Sequence, residues 1–200
     1  MAWRSFDAFA LTSSTEMQRL PTRIDGLVLL EPAVPGDERG FFLETYRADA
    51  WARHGIPTAF VQDNHSRSRR GTLRGIHFQT HPGQGKLVRC ARGAVLDVVV
   101  DLRRGSETFG EWESFELDDV HGRQLWIPIG FGHGFCVLSE TADFVYKCTN
   151  YYDGATEAGI RFDDPDVGIE WPTGFELLYS ERDRTAPRLA DVADTLPFAV

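Results

Sequence analysis

Between Phe60 and Cys148 the chain is a succession of short apolar stretches broken by glycine-bearing turns, and this spacing limits the fold more than any other feature. F-V-Q-D-N-H-S is followed by the turn S-R-S-R-R-G, then T-L-R-G-I-H-F-Q, the turn T-H-P-G-Q-G, K-L-V-R-C-A, the turn R-G, and A-V-L-D-V-V-V-D-L. W-E-S-F-E-L, R-Q-L-W-I-P, H-G-F-C-V-L and F-V-Y-K-C-T continue the series. Segments of this length with a period of two read as strands, and many of them with Gly-rich turns indicate an antiparallel sandwich or barrel. In A-V-L-D-V-V-V-D-L, alternation puts Val95, Asp97, Val99 and Asp101 on one face and Leu96, Val98, Val100 and Leu102 on the other. One face is wholly apolar and the other carries acids, as expected of a sheet with one side on a core and one in a cavity. The aromatic supply, 14 Phe, 5 Trp and 5 Tyr, favours sheets as well.

The flanks are simpler. Residues 1–22 read as a polar, weakly structured extension, and residues 23–200 as a single domain, an ordinary size for 200 residues. L-V-L-L-E-P is a strand, G-D-E-R-G a turn before F-F-L-E-T-Y, and residues 47–55 a short helix stopped by Gly55. After Asp163 the chain is loop-like. S-E-R-D-R-T-A-P can open a short helix with Ser180 as N-cap and Asp183 three residues on.

A net charge of −9 argues against a sequence-independent nucleic-acid binder. Cys90, Cys136 and Cys148, an odd number without C-x-x-C spacing, suggest reduced buried thiols and a cytoplasmic protein. The first residues have no apolar run of the kind that a signal peptide or membrane span needs.

The chemistry concentrates in T-L-R-G-I-H-F-Q. Arg74 and His77 sit within an apolar strand, and Lys86 is the next charged residue downstream. A lone strand histidine is more often structural than catalytic. A histidine close in sequence to two fixed cations, however, is equipped to remove a proton next to a carbonyl and to hold the resulting anion. Alternation would put Arg74 and His77 on opposite faces, so a cavity that uses both requires an irregularity, and Gly75 can host it.

P-I-G-F-G-H, residues 128–133, matches the P-x-G-x-x-H signature of cupin barrels. Metal cupins add an H-x-H and a Glu seven residues before a turn glycine. Here the first segment offers only His77, and the residue seven before Gly93 is Lys86, a cation that repels a divalent metal. No metal and no cofactor is expected.

These segments together resemble the dTDP-4-dehydrorhamnose 3,5-epimerase family from about Leu27 to Pro187. The matching stretches are G-D-E-R-G-F-F-L-E, F-V-Q-D-N-H-S, T-L-R-G-I-H-F-Q, G-K-L-V-R-C, D-V-V-V-D-L-R, Q-L-W-I-P-x-G-F-x-H-G-F, F-V-Y-K-C-T-N-Y-Y and I-E-W-P. The resemblance implies an all-β, antiparallel double-stranded β-helix (cupin or jelly-roll) barrel with a few short peripheral helices. It also implies inversion of C3 and C5 of dTDP-4-dehydro-6-deoxy-D-glucose to give dTDP-4-dehydro-L-rhamnose. By position, His77 matches the base, Asp183 its orienting acid, Tyr146 the acid on the opposite face and Lys86 the oxyanion stabiliser. Arg39, Glu44, Gln62, Asp63, Asn64, Arg74, His133, Glu157 and Arg182, with Lys86, match substrate-binding positions. The family forms homodimers in which a strand or arm of one subunit completes the other's pocket, and no membrane or nucleic-acid partner is implied. Gly132 replaces a usual alanine, and the N-terminal extension is longer than typical. Arg67, Arg69 and Arg70 read as a solvated turn. Three rivals share parts of the pattern: a mono-epimerase acting at C3 or C5 alone, a non-catalytic sugar-nucleotide-binding cupin, and a metal-dependent cupin.

Overall fold

The computed structural model describes residues 16–200. Two antiparallel sheets face each other. The first is ordered β1 (Gln18–Leu20), β2 (Val28–Glu31), β10 (Gln124–Ile127), β7 (Lys86–Arg92), β12 (Thr141–Cys148) and β5 (Gln62–Arg69). The second is ordered β13 (Glu157–Gly159), β6 (Leu73–Gln79), β11 (Phe131–Val137), β8 (Ala94–Asp101) and β9 (Trp112–Asp118). A two-stranded hairpin, β3 (Gly36–Asp37) and β4 (Gly40–Phe41), stands apart from both. The helices are short: α1 (Ala48–Ala52), α2 (Glu181–Thr185) and α3 (Leu189–Val192). This is the antiparallel double-sheet, cupin-like architecture expected, with its helices at the periphery.

The inner core lies between the sheets. Val88, Leu125, Ile127 and Phe144 from the first meet Val95, Val99, Phe115, Leu117 and Phe135 from the second. Each large side chain moved here from water stabilises the fold by roughly 1.5–3 kcal/mol. Both sheets are also covered outside. Val28, Leu30, Leu87 and Trp126 pack under α1 and its Trp51. Ile76, Phe78, Val98, Val100 and Leu102 pack against Ile160, Val167, Leu189, Leu196 and Phe198 of the C-terminal segment.

Strand β8 therefore differs in one respect from its expectation. Its alternation holds, but both faces are buried, because the C-terminal segment covers the apolar one. Of its two acids, Asp97 turns into the space between the sheets and bonds His133. Asp101 does not reach a cavity: Arg103, Ser106 and Thr108 hold it at the strand end.

Strand β1 lies inside the stretch 1–22 that was expected to be weakly structured, because Gln18, Arg19 and Leu20 find partners in Glu31, Leu30 and Leu29. The remainder of that stretch up to residue 15 falls outside the described residues. The helix expected over 47–55 is regular only from Ala48 to Ala52, and Gly55, at φ 81°, accepts the left-handed turn that ends it. Cys90, Cys136 and Cys148 are free and buried. No helix among the described residues is long and apolar enough to cross a membrane.

Candidate active site

A cavity of about 640 Å³ opens between the two sheets. The strand parity that builds it is visible in the register. On β12, Tyr146 points inward and pairs with Asn64 of β5 and Val88 of β7, while Cys148, two residues on, pairs with Lys86. Tyr146, Lys86, Asn64 and Gln62 thus line the cavity from the six-stranded sheet. From the five-stranded sheet come Arg74, His77, Gln79 and His133. Glu157, Arg182, Asp183, Tyr152 and Tyr179 surround its mouth.

Arg74 and His77 both line this cavity, and the irregularity anticipated at Gly75 is what permits it. His133 pairs with His77 and Phe135 with Arg74, so two residues of β6, Gly75 and Ile76, stand opposite the single Gly134 of β11. That is a bulge, and it reverses the parity of everything beyond it. Only glycine fits at its centre: Gly75 has φ 127°, and a Cβ there would lie 2.5 Å from Gly134 Cα and 2.7 Å from the His133 carbonyl oxygen.

His77 is held by Asp183, whose Oδ1 lies 2.6 Å from Nε2. The other oxygen, Oδ2, accepts from the Ser180 hydroxyl at 2.8 Å, and the Asp183 amide donates back to Ser180 Oγ at 3.1 Å. The capping role and the orienting role therefore coexist on one carboxyl group, one on each oxygen. Burial pushes the Asp183 carboxyl pKa up, but the His77 and Ser180 hydrogen bonds outweigh it and the net displacement is downward. An ionised carboxylate only accepts, so Nε2 of His77 carries the hydrogen of this bond and Nδ1 is the nitrogen turned away from Asp183.

Tyr146 stands on the opposite sheet from His77. Burial raises its phenol pKa, partly countered by Arg74, so the hydroxyl keeps its proton at neutral pH. Lys86 is drawn the other way: burial lowers its ammonium pKa, opposed by Cys148, Glu157 and Asp97. At the mouth, Glu157 accepts from both Arg182 and Tyr152, at 2.6 and 2.7 Å. Burial raises the Glu157 pKa, yet those two donors bring it below the ordinary value. The arrangement offers an imidazole and a phenol on facing walls, with Arg74 and Lys86 among the lining side chains, which suits abstraction and return of a proton on opposite sides of a planar anion.

Ten of the expected site residues, Gln62, Asn64, Arg74, His77, Lys86, His133, Tyr146, Glu157, Arg182 and Asp183, converge on this cavity. Three do not. Asp63 lies between Gln62 and Asn64, so parity turns it to the outer face of the sheet, where it pairs with Lys147 at 3.0 Å. Arg39 is on the β3–β4 hairpin, tied to Asp37, and borders a separate surface hollow. Glu44 lies beyond that hairpin and faces Arg47 at 3.6 Å. Neither element reaches the cavity of its own chain. Gln79, Tyr152, Tyr179 and Asp97 were not anticipated as site residues. Gln79 shares the parity of His77, a signal that was available, whereas Tyr152 and Tyr179 sit on loops that no periodicity predicts. Among the described residues, no three His, Cys, Asp or Glu side chains are grouped to hold a metal ion.

Comparison with known proteins gives a consistent result. The model of the dTDP-4-dehydrorhamnose 3,5-epimerase family matches residues 21–191. A dTDP-4-dehydrorhamnose 3,5-epimerase of Pseudomonas aeruginosa is 51% identical over 175 residues, spanning 87% of this chain and 96% of that protein. A dTDP-4-dehydrorhamnose 3-epimerase of Streptomyces niveus is 47% identical over 180 residues, spanning 89% of this chain and 86% of that protein. Among solved structures, the Legionella pneumophila dTDP-6-deoxy-D-glucose-3,5-epimerase, crystallised with dTDP-4-keto-L-rhamnose, superposes with a TM-score of 0.89 at 47% identity, covering 92% of this chain and all of that one. With a match running through both sheets and the whole cavity wall, the chain belongs to the dTDP-4-dehydrorhamnose 3,5-epimerase family.

Proposed function

We propose that the protein inverts C3 and C5 of dTDP-4-dehydro-6-deoxy-D-glucose, giving dTDP-4-dehydro-L-rhamnose. The observation that carries the mechanism is the His77–Asp183 pair on one wall of a cavity whose facing wall carries Tyr146. Both carbons flank the C4 ketone, which acidifies their protons. In our reading, His77 takes the proton through Nδ1, and the electron pair of the C–H bond moves to O4 as an enolate. Lys86 stabilises the charge there as a compact cation. Tyr146 returns a proton from the opposite face, and Arg74 opposes the charge left on the phenol. Asp183 keeps the His77 ring in one tautomer and stabilises its imidazolium. Proton exchange with water then resets both groups for the second carbon.

Gln62, Asn64, Arg74, His133, Glu157 and Arg182 are the proposed contacts to the sugar nucleotide within one chain. Guanidinium forks suit diphosphate oxygens. Arg39 and Glu44, directed away from their own cavity, are proposed to serve the cavity of a second copy in a homodimer. Asp63 is bound to Lys147 on the outer face of the sheet, away from this cavity. We also infer a cytoplasmic enzyme without a metal, because the position where a metal cupin carries a ligating Glu holds Lys86.

A second reading, inversion at C3 alone, is favoured by the Streptomyces niveus relative, whose identity to this chain is 47%, close to that of the double epimerases. Proton NMR of the 4-keto sugar nucleotide with the protein in D2O separates the two. Deuterium at both C3 and C5, with an L-configured product trapped by a reductase, is the expected result. Label at C3 only moves the assignment to a mono-epimerase, and absence of label at both carbons overturns the substrate.

A further inference from the structure

Asp97 is completely buried in the middle of β8, in an otherwise apolar run, and the mechanism above gives it no part. Removing a carboxylate from water costs several kcal/mol unless neighbours compensate. Valine or leucine would fill the position without that cost, so packing does not account for an acid. What compensates it belongs entirely to the cavity. Oδ2 lies 2.8 Å from Nε2 of His133. Burial raises the Asp97 carboxyl pKa, and His133 and Lys86 oppose that rise. The remaining oxygen, Oδ1, is sealed from solvent without a hydrogen-bond partner, one of two such buried side-chain atoms among the described residues. The second, Gln79 Oε1, belongs to another residue of the same cavity wall.

The register supplies the rest. His133 of β11 stands directly opposite His77 of β6, and both line the cavity. Two imidazoles thus stand side by side, each with its own aspartate: His77 with Asp183 from the C-terminal segment, His133 with Asp97 from the neighbouring strand. The His133 ring lies nearly parallel to Phe144, 6.0 Å away, which limits its tilt but not its flip.

We propose that Asp97 is a positioning residue of this site, holding the His133 ring in one orientation through Nε2. The proposal rests on the reading of the cavity as the epimerase site. In its carboxylate form Asp97 only accepts, which places the hydrogen on Nε2 of His133 and leaves Nδ1 as an acceptor for a sugar hydroxyl.

Two measurements test this. Asp97→Asn keeps the shape and removes the charge. The rate of deuterium entry at C3 and C5 should fall about tenfold to a hundredfold, as for a misplaced catalytic group, while dTDP affinity stays within about twofold. Nitrogen-15 NMR of the imidazoles in the unmodified protein should show His133 as a single tautomer protonated at Nε2, whether or not the variant folds. An unchanged exchange rate in Asp97→Asn, or an averaging His133 ring in the unmodified protein, overturns the proposal. So does a parallel loss of rate, dTDP affinity and melting temperature, which would mark Asp97 as merely structural. Should the unmodified protein show the fixed tautomer and no exchange on the 4-keto sugar, the positioning by Asp97 is supported and the substrate assignment fails.

Discussion

Replacement of Asp183 by asparagine separates two duties that one side chain performs. Asp183 is 4% exposed and places Oδ1 2.6 Å from His77 Nε2, while Oδ2 lies 2.8 Å from the Ser180 hydroxyl. An asparagine keeps the size and one acceptor, and its backbone amide still donates to Ser180 Oγ. The helix cap is largely retained, so stability should fall by less than about 1 kcal/mol. What is lost is the charge beside a ring that becomes an imidazolium during proton abstraction. A hydrogen bond to a charged partner is worth about 1.5–3 kcal/mol. At about 1.4 kcal/mol per factor of ten, the exchange rate at C3 and C5 should fall between about tenfold and 150-fold. The assay is the initial rate of deuterium entry by NMR, beside dTDP titration and thermal melting. An exchange rate within a factor of about two of the unmodified protein would refute the orienting role of Asp183. A rate loss matched by an equal loss of dTDP affinity would refute it too, since binding rather than the proton-transfer step would then have failed.

Gly75→Ala should destabilise the protein by at least about 2 kcal/mol in urea titration, because a left-handed φ and a backbone overlap coincide there; a neutral result would mean that the bulge relaxes freely. Asp143 gives a pH signature. Its carboxyl is held at about 2, against an ordinary 3.8, chiefly by the hydrogen bonds from Arg67. The folded state therefore binds fewer protons than the unfolded one, and the stabilisation is fully present above about pH 4 and lost as pH falls towards about 2. Arg67→Met should flatten that part of the stability–pH curve measured by denaturant midpoints, and an unaltered slope would show that Arg67 does not hold the carboxylate.

The strands were legible because their signal is local: period-two alternation and glycine turns are written within eight or nine residues. The need for a bulge was legible too, since Arg74 and His77 could not share a face without one. The parity of Gln62, Asp63 and Asn64 was equally available, yet Asp63 was carried into the site by resemblance although its neighbours on both sides point the other way. Arg39 and Glu44 are a different case. Their displacement depends on where a detached hairpin lies in three dimensions, and nothing in the residues from Gly36 to Phe41 encodes that. Cover on the outer face of β8 was hidden for a related reason. It comes from Ile160, Leu189 and Phe198, 60 residues and more along the chain, in segments with little periodicity. Strand β1 is not legible in the residues, because three of them joined to a longer polar stretch carry almost no pattern of their own.

The proposed base and its aspartate are separated by 106 residues, and the aspartate arrives on a helix of only five. That helix follows a segment attached to β6 through Leu178, which exchanges backbone hydrogen bonds with Leu73 and Gly71. The last strand of either sheet ends at Gly159, so both sheets can be complete while residues 175–185 are still undocked. Opening of this short stretch would leave circular dichroism and the bulk of the core unaltered and yet release His77 from its acid. Proteolytic nicking or slow amide exchange confined to the Leu178 attachment would therefore report competence for proton transfer, whereas global unfolding measurements would not.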